Sequence, residues 1–129
     1  MENQQECYCG SGISFDSCCR KFLELKAFPE TAEELMRSRY SAYVLANAKY
    51  IIDTTHPKTR HFHTKKAILE WSKENIWQKL EVVKSEDNHV VFKAYFKDRN
   101  GTDQIHWESS VFERLGGKIY YVSGSFNEE

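Results

Sequence analysis

All four cysteines of the chain stand in one short run, ECYCGSGISFDSCCRKF, near its N-terminus. They are Cys7, Cys9, Cys18 and Cys19, spaced Cys-x-Cys and then Cys-Cys, with Gly10-Ser11-Gly12 directly behind the first pair. Glycine accepts positive φ cheaply, so this spacing predicts a tight knuckle with Cys7 and Cys9 pointing to one side. Cys18 and Cys19 then close the site from the start of a following helix. Tetrahedral Zn²⁺ takes four such ligands at about 2.3 Å, and four thiolates leave no open coordination position, which marks a structural rather than a catalytic ion. The alternatives are two disulfides, whose pairing spacing does not decide, or four unrelated thiols. The polar start MENQQE lacks the apolar segment of a secretory leader. A reducing cytoplasm is therefore expected, where stable disulfides are uncommon and metal binding is favoured.

The same run resembles the SEC-C motif, the zinc-binding knuckle at the C-terminus of the SecA translocation ATPase. Cys7-Tyr8-Cys9-Gly10-Ser11-Gly12, Phe15 and Cys18-Cys19 fall in its pattern. That resemblance implies structural Zn²⁺ on Cys7, Cys9, Cys18 and Cys19, and a protein or ribosomal partner docked by the knuckle. Arg20 and Lys21 beside the cysteines fit such a docking surface.

With 129 residues the chain is long enough for one ordinary core and a small appendage. A formal net charge of −1, more acidic still with a tetrathiolate site, gives no strong nucleic-acid signal. No apolar run approaches a membrane span. Two units are expected: a knuckle over residues 1–28, with 1–6 disordered, and a main domain over 29–129. So short a knuckle buries too little apolar surface to order itself, and the metal would supply much of its folding free energy.

Helices come first in the main domain. Thr31 and Glu34 form a capping-box pattern opening a helix that runs to a stop at Asn47, with Met36, Tyr40, Tyr43 and Val44 on one stripe. A second helix spans about 48–54 and ends before His56-Pro57. Thr64 caps a third, to about Asn75, with Ile68 and Trp71 on its apolar face. From Ile76 the period becomes two. Strands are expected over 76–86, about 90–96, 104–114 and 118–126, with hairpin turns at Asn100-Gly101 and Gly116-Gly117. Helices followed by an antiparallel meander make an α+β fold with the helices on one face of the sheet.

Several strings resemble the YchJ family of small bacterial proteins. They are Leu35-Met36-Arg37-Ser38-Arg39-Tyr40-Ser41-Ala42-Tyr43, Thr55-His56-Pro57, Glu108-x-Ser110-x-Phe112 and Tyr120-Tyr121-Val122-x-Gly124. The resemblance implies a SEC-C knuckle followed by a nuclear-transport-factor-2-like domain, a cone of helices packed on a curved antiparallel sheet. This chain has Thr55 where relatives often carry tryptophan, and it has no second cysteine knuckle near residue 129. A two-knuckle mode of binding is thus not expected.

Pocket candidates in such a cone are Arg39, Tyr43, His56, His106 and Glu108. Arg39 borders the apolar stripe of its helix, where it either pairs with Glu108 or another acid, locking helix to sheet, or clamps an anionic ligand. Arg37 is expected to pair with Glu33 or Glu34 as a solvated charge. On the third strand His106, Glu108, Ser110 and Phe112 share one face, while Ile105, Trp107, Ser109 and Val111 share the other. Either face fits the concave side. His106 and Glu108 would make an acid–base couple, with structural hydrogen bonding the blander role. His61 and His63 are expected in solvent, and Tyr40, Tyr43, Trp71, Trp77, Tyr95 and Tyr121 in the core or at a pocket mouth. Two functions follow: a cytosolic zinc-binding docking adaptor whose cone is a scaffold or small-molecule binder, or a small lyase-, isomerase- or hydrolase-type enzyme using the cone pocket.

Overall fold

The structure, a computed structural model, describes residues 6–126. The expectation of disorder over 1–6 thus mostly lies outside the described residues, but Glu6 is ordered, bridging Ser14 across the knuckle. Helix α1 is a single turn, Arg20–Leu23. The long helix α2 spans Ala32–Val44, α3 Ala48–Asp53 and α4 Lys65–Glu74. Strands β1 (Ile76–Glu86), β2 (His89–Lys97), β3 (Asp103–Leu115) and β4 (Lys118–Phe126) pair in chain order as an antiparallel meander. This is the α+β cone expected.

Local chemistry sets the helix ends. Thr31 Oγ1 accepts the Glu34 N–H at 3.0 Å, satisfying an orphan donor of the first turn of α2. The Glu34 carboxylate reaches back to the Glu30 N–H at 2.9 Å. The helix ends earlier than the sequence pattern indicates. Ala46 takes φ 57, and Asn47 does not stop α2 but caps α3, its Oδ1 accepting the Tyr50 N–H at 3.1 Å. Asn47 serves the second helix because a short amide side chain makes a better N-cap than a helix interior residue.

Three register irregularities bend the sheet, two along β1 and one at Val111/Phe112. An extra residue on one strand increases local twist, which turns a meander into a trough. The trough faces α2. Leu35, Met36 and Tyr40 of that helix share one buried cluster with Leu80, Phe92, Phe112 and Tyr121 of the sheet. A second cluster holds the helices together through Ala42, Tyr50, Ile51 and Ile68, and takes in Phe22 from α1.

Candidate functional site

The knuckle is built by its glycines. Gly10 and Gly12 take φ 81 and 84, and Cys7 N–H closes the loop on the Ile13 carbonyl at 2.8 Å. A Cβ on Gly10 would stand 3.2 Å from the Leu80 carbonyl, so the loop also lies close against β1. All four cysteines are free thiols, with their sulfurs within 4.8 Å of one another. Cys9 Sγ lies 3.7 Å from Cys18 Sγ, and Cys18 Sγ 4.0 Å from Cys19 Sγ. A tetrahedron with metal–sulfur bonds of 2.3 Å has edges of about 3.8 Å, so the cluster fits a metal ion; a disulfide needs about 2 Å. Left to themselves these thiols cannot all ionise. Burial pushes the Cys18 thiol up to about 11, hydrogen bonding with Cys7 and Cys9 pushes Cys19 up, and hydrogen bonding with Cys19 and Cys9 holds Cys7 down. A central dication removes that conflict.

The thiols sit in the wall of the cone. Cys7, Cys9 and Cys19 are buried in the same cluster as Leu35, Tyr40 and Phe112. Arg37 pairs with Glu33 at 3.0 Å, as its spacing predicts, but it is not a solvated charge: Nη1 donates to the Cys9 carbonyl at 2.6 Å. One turn further along α2, Ser41 Oγ lies 3.6 Å from Cys7 Sγ. Arg20 is held by Asp16 and Glu24, both at 2.8 Å, and Lys21 Nζ lies over the Phe22 ring.

On the other side of α2 the trough encloses a cavity of about 350 Å³. Arg39, Tyr43, His106 and Glu108 line it, together with Met36, Tyr40, His63, Trp71, Trp77, Phe92, Ala94 and Tyr121. Four of the five pocket candidates are thus brought together. His56 is not among them. Its N–H donates to the Tyr121 carbonyl at 2.7 Å, but its ring packs edge-on against Tyr120, which points the opposite way from Tyr121 along β4. The loop instead delivers His63, whose ring lies 6.4 Å from Tyr121. Burial and the nearby Arg39 charge hold its pKa below 6.5. The expectation of a solvated His63 fails for that reason; His61 is exposed. Tyr95, expected in the core or at the pocket mouth, is on the far sheet face, its hydroxyl on Glu81.

The concave face of β3 is the one bearing His106, Glu108, Ser110 and Phe112; Glu108, Ser110 and Phe112 are buried, while Ile105 and Val111 are exposed. Glu108 accepts three hydrogen bonds: from His106 Nε2 at 2.8 Å, Ser110 Oγ at 2.8 Å and Tyr121 Oη at 2.7 Å. Burial alone would push its carboxyl up, but these donors outweigh it and hold the group below the usual carboxylate range. An ionised Glu108 only accepts, so His106 Nε2 carries a proton. Burial and the Glu108 charge push the Tyr121 phenol well above its ordinary value, keeping it a donor. Gly124 makes the room: a Cβ there would stand 2.0 Å from Glu108 Oε2. A glycine inside a strand pattern is the one sequence signal that could have flagged this approach.

Arg39 does not pair with Glu108. Its Nη1 donates to the Ile51 carbonyl at 3.0 Å, Thr54 Oγ1 at 2.8 Å and Thr55 Oγ1 at 3.2 Å, and its guanidinium lies over the Tyr121 ring. The bridge between Thr55 and Tyr121 carries these threonines to it. Tyr121 stands between the two charges, stacked on one and hydrogen-bonded to the other.

Residues 31–124 match the family described as YchJ, middle NTF2-like domain. A UPF0225 protein of Haemophilus influenzae (strain PittEE) is 41% identical over 123 residues, covering 92% of this chain and 76% of that protein. A UPF0225 protein of Vibrio vulnificus (strain YJ016) is 41% identical over 129 residues, covering 95% and 76%. The solution structure of RPA3114, a SEC-C motif containing protein from Rhodopseudomonas palustris, superposes with a TM-score of 0.86 at 33% identity, covering 95% of this chain and 98% of that one. The crystal structure of a SEC-C motif containing protein from Psychrobacter arcticus does so with a TM-score of 0.77 at 32% identity, covering 97% and 84%. With its cysteine cluster ahead of this domain, the chain belongs to the YchJ family.

Proposed function

We propose that this protein binds a small molecule in its cone and that a structural zinc ion on Cys7, Cys9, Cys18 and Cys19 braces the binding site. The observation that carries the reading is the convergence of Arg39, His106 and Glu108 on one ring-walled cavity. A mostly apolar pocket with a few fixed polar groups is the usual form of a small-molecule site. Zinc is supported by the sulfur spacing and by the SEC-C motif of the two solved relatives. The two halves meet in α2, which holds the Cys9 carbonyl through Arg37 and lines the pocket with Arg39, Tyr40 and Tyr43. The reading places the protein in a reducing cytosol, where four free thiols persist.

Two measurements test it. Metal analysis of protein purified under reducing conditions is expected to give one zinc per chain, lost in Cys9→Ser. Titration of the zinc-loaded protein with 2-naphthamide, a neutral planar probe, followed by amide and indole NMR, is expected to shift Trp71 and Trp77 saturably. Absence of metal, or of any response at those indoles to 2-naphthamide and to its carboxylate analogue 2-naphthoate alike, overturns the reading.

A second reading, a knuckle that docks a protein partner, is favoured by one observation. Leu25 and Phe28 are half-exposed beside a groove of about 240 Å³ that includes Pro29 and Tyr120. A photo-crosslinker at Phe28 tests it: an identified partner whose capture is lost in Cys9→Ser supports docking, and equal capture by Cys9→Ser contradicts it.

A further inference from the structure

The geometry points to a planar aromatic carboxylate as the class of ligand taken by the cone pocket, its carboxylate on Arg39 and its ring between the aromatic walls. The inference rests on the small-molecule reading given above and concerns which molecule is taken.

Arg39 carries the argument. It is 3% exposed, yet among the described residues no carboxylate lies within 4.0 Å of it. A buried guanidinium without a counter-ion is costly. All three of its hydrogen bonds to protein leave from Nη1, so Nε and Nη2 have no partner among the described residues in a side chain that lines the cavity. Those two nitrogens form the edge that meets a carboxylate with two parallel bonds. The Tyr43 hydroxyl also lacks a partner among the described residues, and burial pushes its pKa up, so it stays a donor.

Glu108 fixes the orientation. Its charge is spread over three donors, which satisfy it without a ligand. It repels a second carboxylate, so the ligand's acid group is driven to the Arg39 end. The body of the ligand meets Trp71, Trp77 and Phe92, the first two ring to ring at 5.6 Å. A cavity of about 350 Å³ lies at the small end of ligand sites, which limits the ligand to a compact one- or two-ring acid.

Calorimetric titration of the zinc-loaded protein with 2-naphthoate and with 2-naphthamide tests the inference, since the two probes share shape and differ in charge. The carboxylate is expected to bind about tenfold more tightly, the difference between a charge-assisted and a neutral hydrogen bond. Arg39 also anchors α2 to α3, so Arg39→Gln risks misfolding. Tyr43→Phe keeps the ring and is expected to weaken the carboxylate more than the amide, narrowing the preference between them. Equal binding of the two probes overturns the inference and leaves the pocket reading standing. Binding of neither overturns both.

Discussion

Arg39 lies over the ring of Tyr121, its guanidinium carbon 4.2 Å from the ring centroid. The hydroxyl of that ring donates to Glu108 at 2.7 Å. One side chain thus separates and links two buried charges, one from the helical layer and one from the sheet. The arrangement holds the two charges apart, and it leaves the cavity with a cationic and an anionic end. Two expectations follow from the residues around it, a third from a buried hydroxyl in α4, and a fourth from the way the knuckle holds the helix.

Gly124→Ala should displace the Glu108 carboxylate, because the new methyl would stand 2.0 Å from Oε2. Overpacking of this kind costs about 1–3 kcal/mol. Chemical denaturation should show that loss, and the His106 ring resonances should move as its hydrogen-bond partner shifts.

Glu108→Gln should cost about 2–4 kcal/mol at neutral pH, since the amide presents a donor to groups that already donate. The wild-type carboxyl has a folded pKa below its ordinary value of 4.5. Its contribution is therefore fully present above that value and is lost as the pH falls through it toward the lower folded pKa. Denaturation midpoints measured from pH 6 downward should converge for wild type and variant in that window. Parallel curves would contradict the assignment.

Ser72→Ala should stabilise the protein. Ser72 Oγ is buried in α4 and finds no hydrogen-bond partner among the described residues. Removing it relieves an unpaired hydroxyl and adds helix propensity, about 1 kcal/mol together, or roughly 3–5 °C in Tm by thermal unfolding.

The order of elements was readable because each signal is local. Thr31 and Thr64 cap the helices their patterns announce, and the period-two strands reach the ends expected of them. The cysteine spacing likewise announced the cluster. What escaped depends on contacts between distant segments. Arg39 was expected either to pair with Glu108 or another acid or to face a ligand; its protein partners Thr54 and Thr55 reach it only because that segment bridges Tyr121 on β4. His63 enters the pocket at the end of a loop whose polar composition reads as solvent-facing. Trp107 made the wrong face of β3 look equally buried; the Lys93 side chain covers its ring from outside, with Nζ 4.6 Å away. Asn47 was ambiguous in kind, since the residue that ends one helix and the residue that begins the next draw on the same chemistry.

The most direct test of a zinc-braced pocket joins its two halves in one measurement. Helix α2 binds the knuckle through Arg37 and Ser41 and lines the cavity with Arg39, Tyr40 and Tyr43. Affinity for 2-naphthamide should be measured on zinc-loaded protein and again after removal of the metal with a chelator. The account predicts that chelation abolishes or strongly weakens binding, that it lowers Tm as a single cooperative transition, and that zinc restores both. Unchanged affinity and Tm in the metal-free protein would contradict it, leaving the knuckle with no part in holding the site.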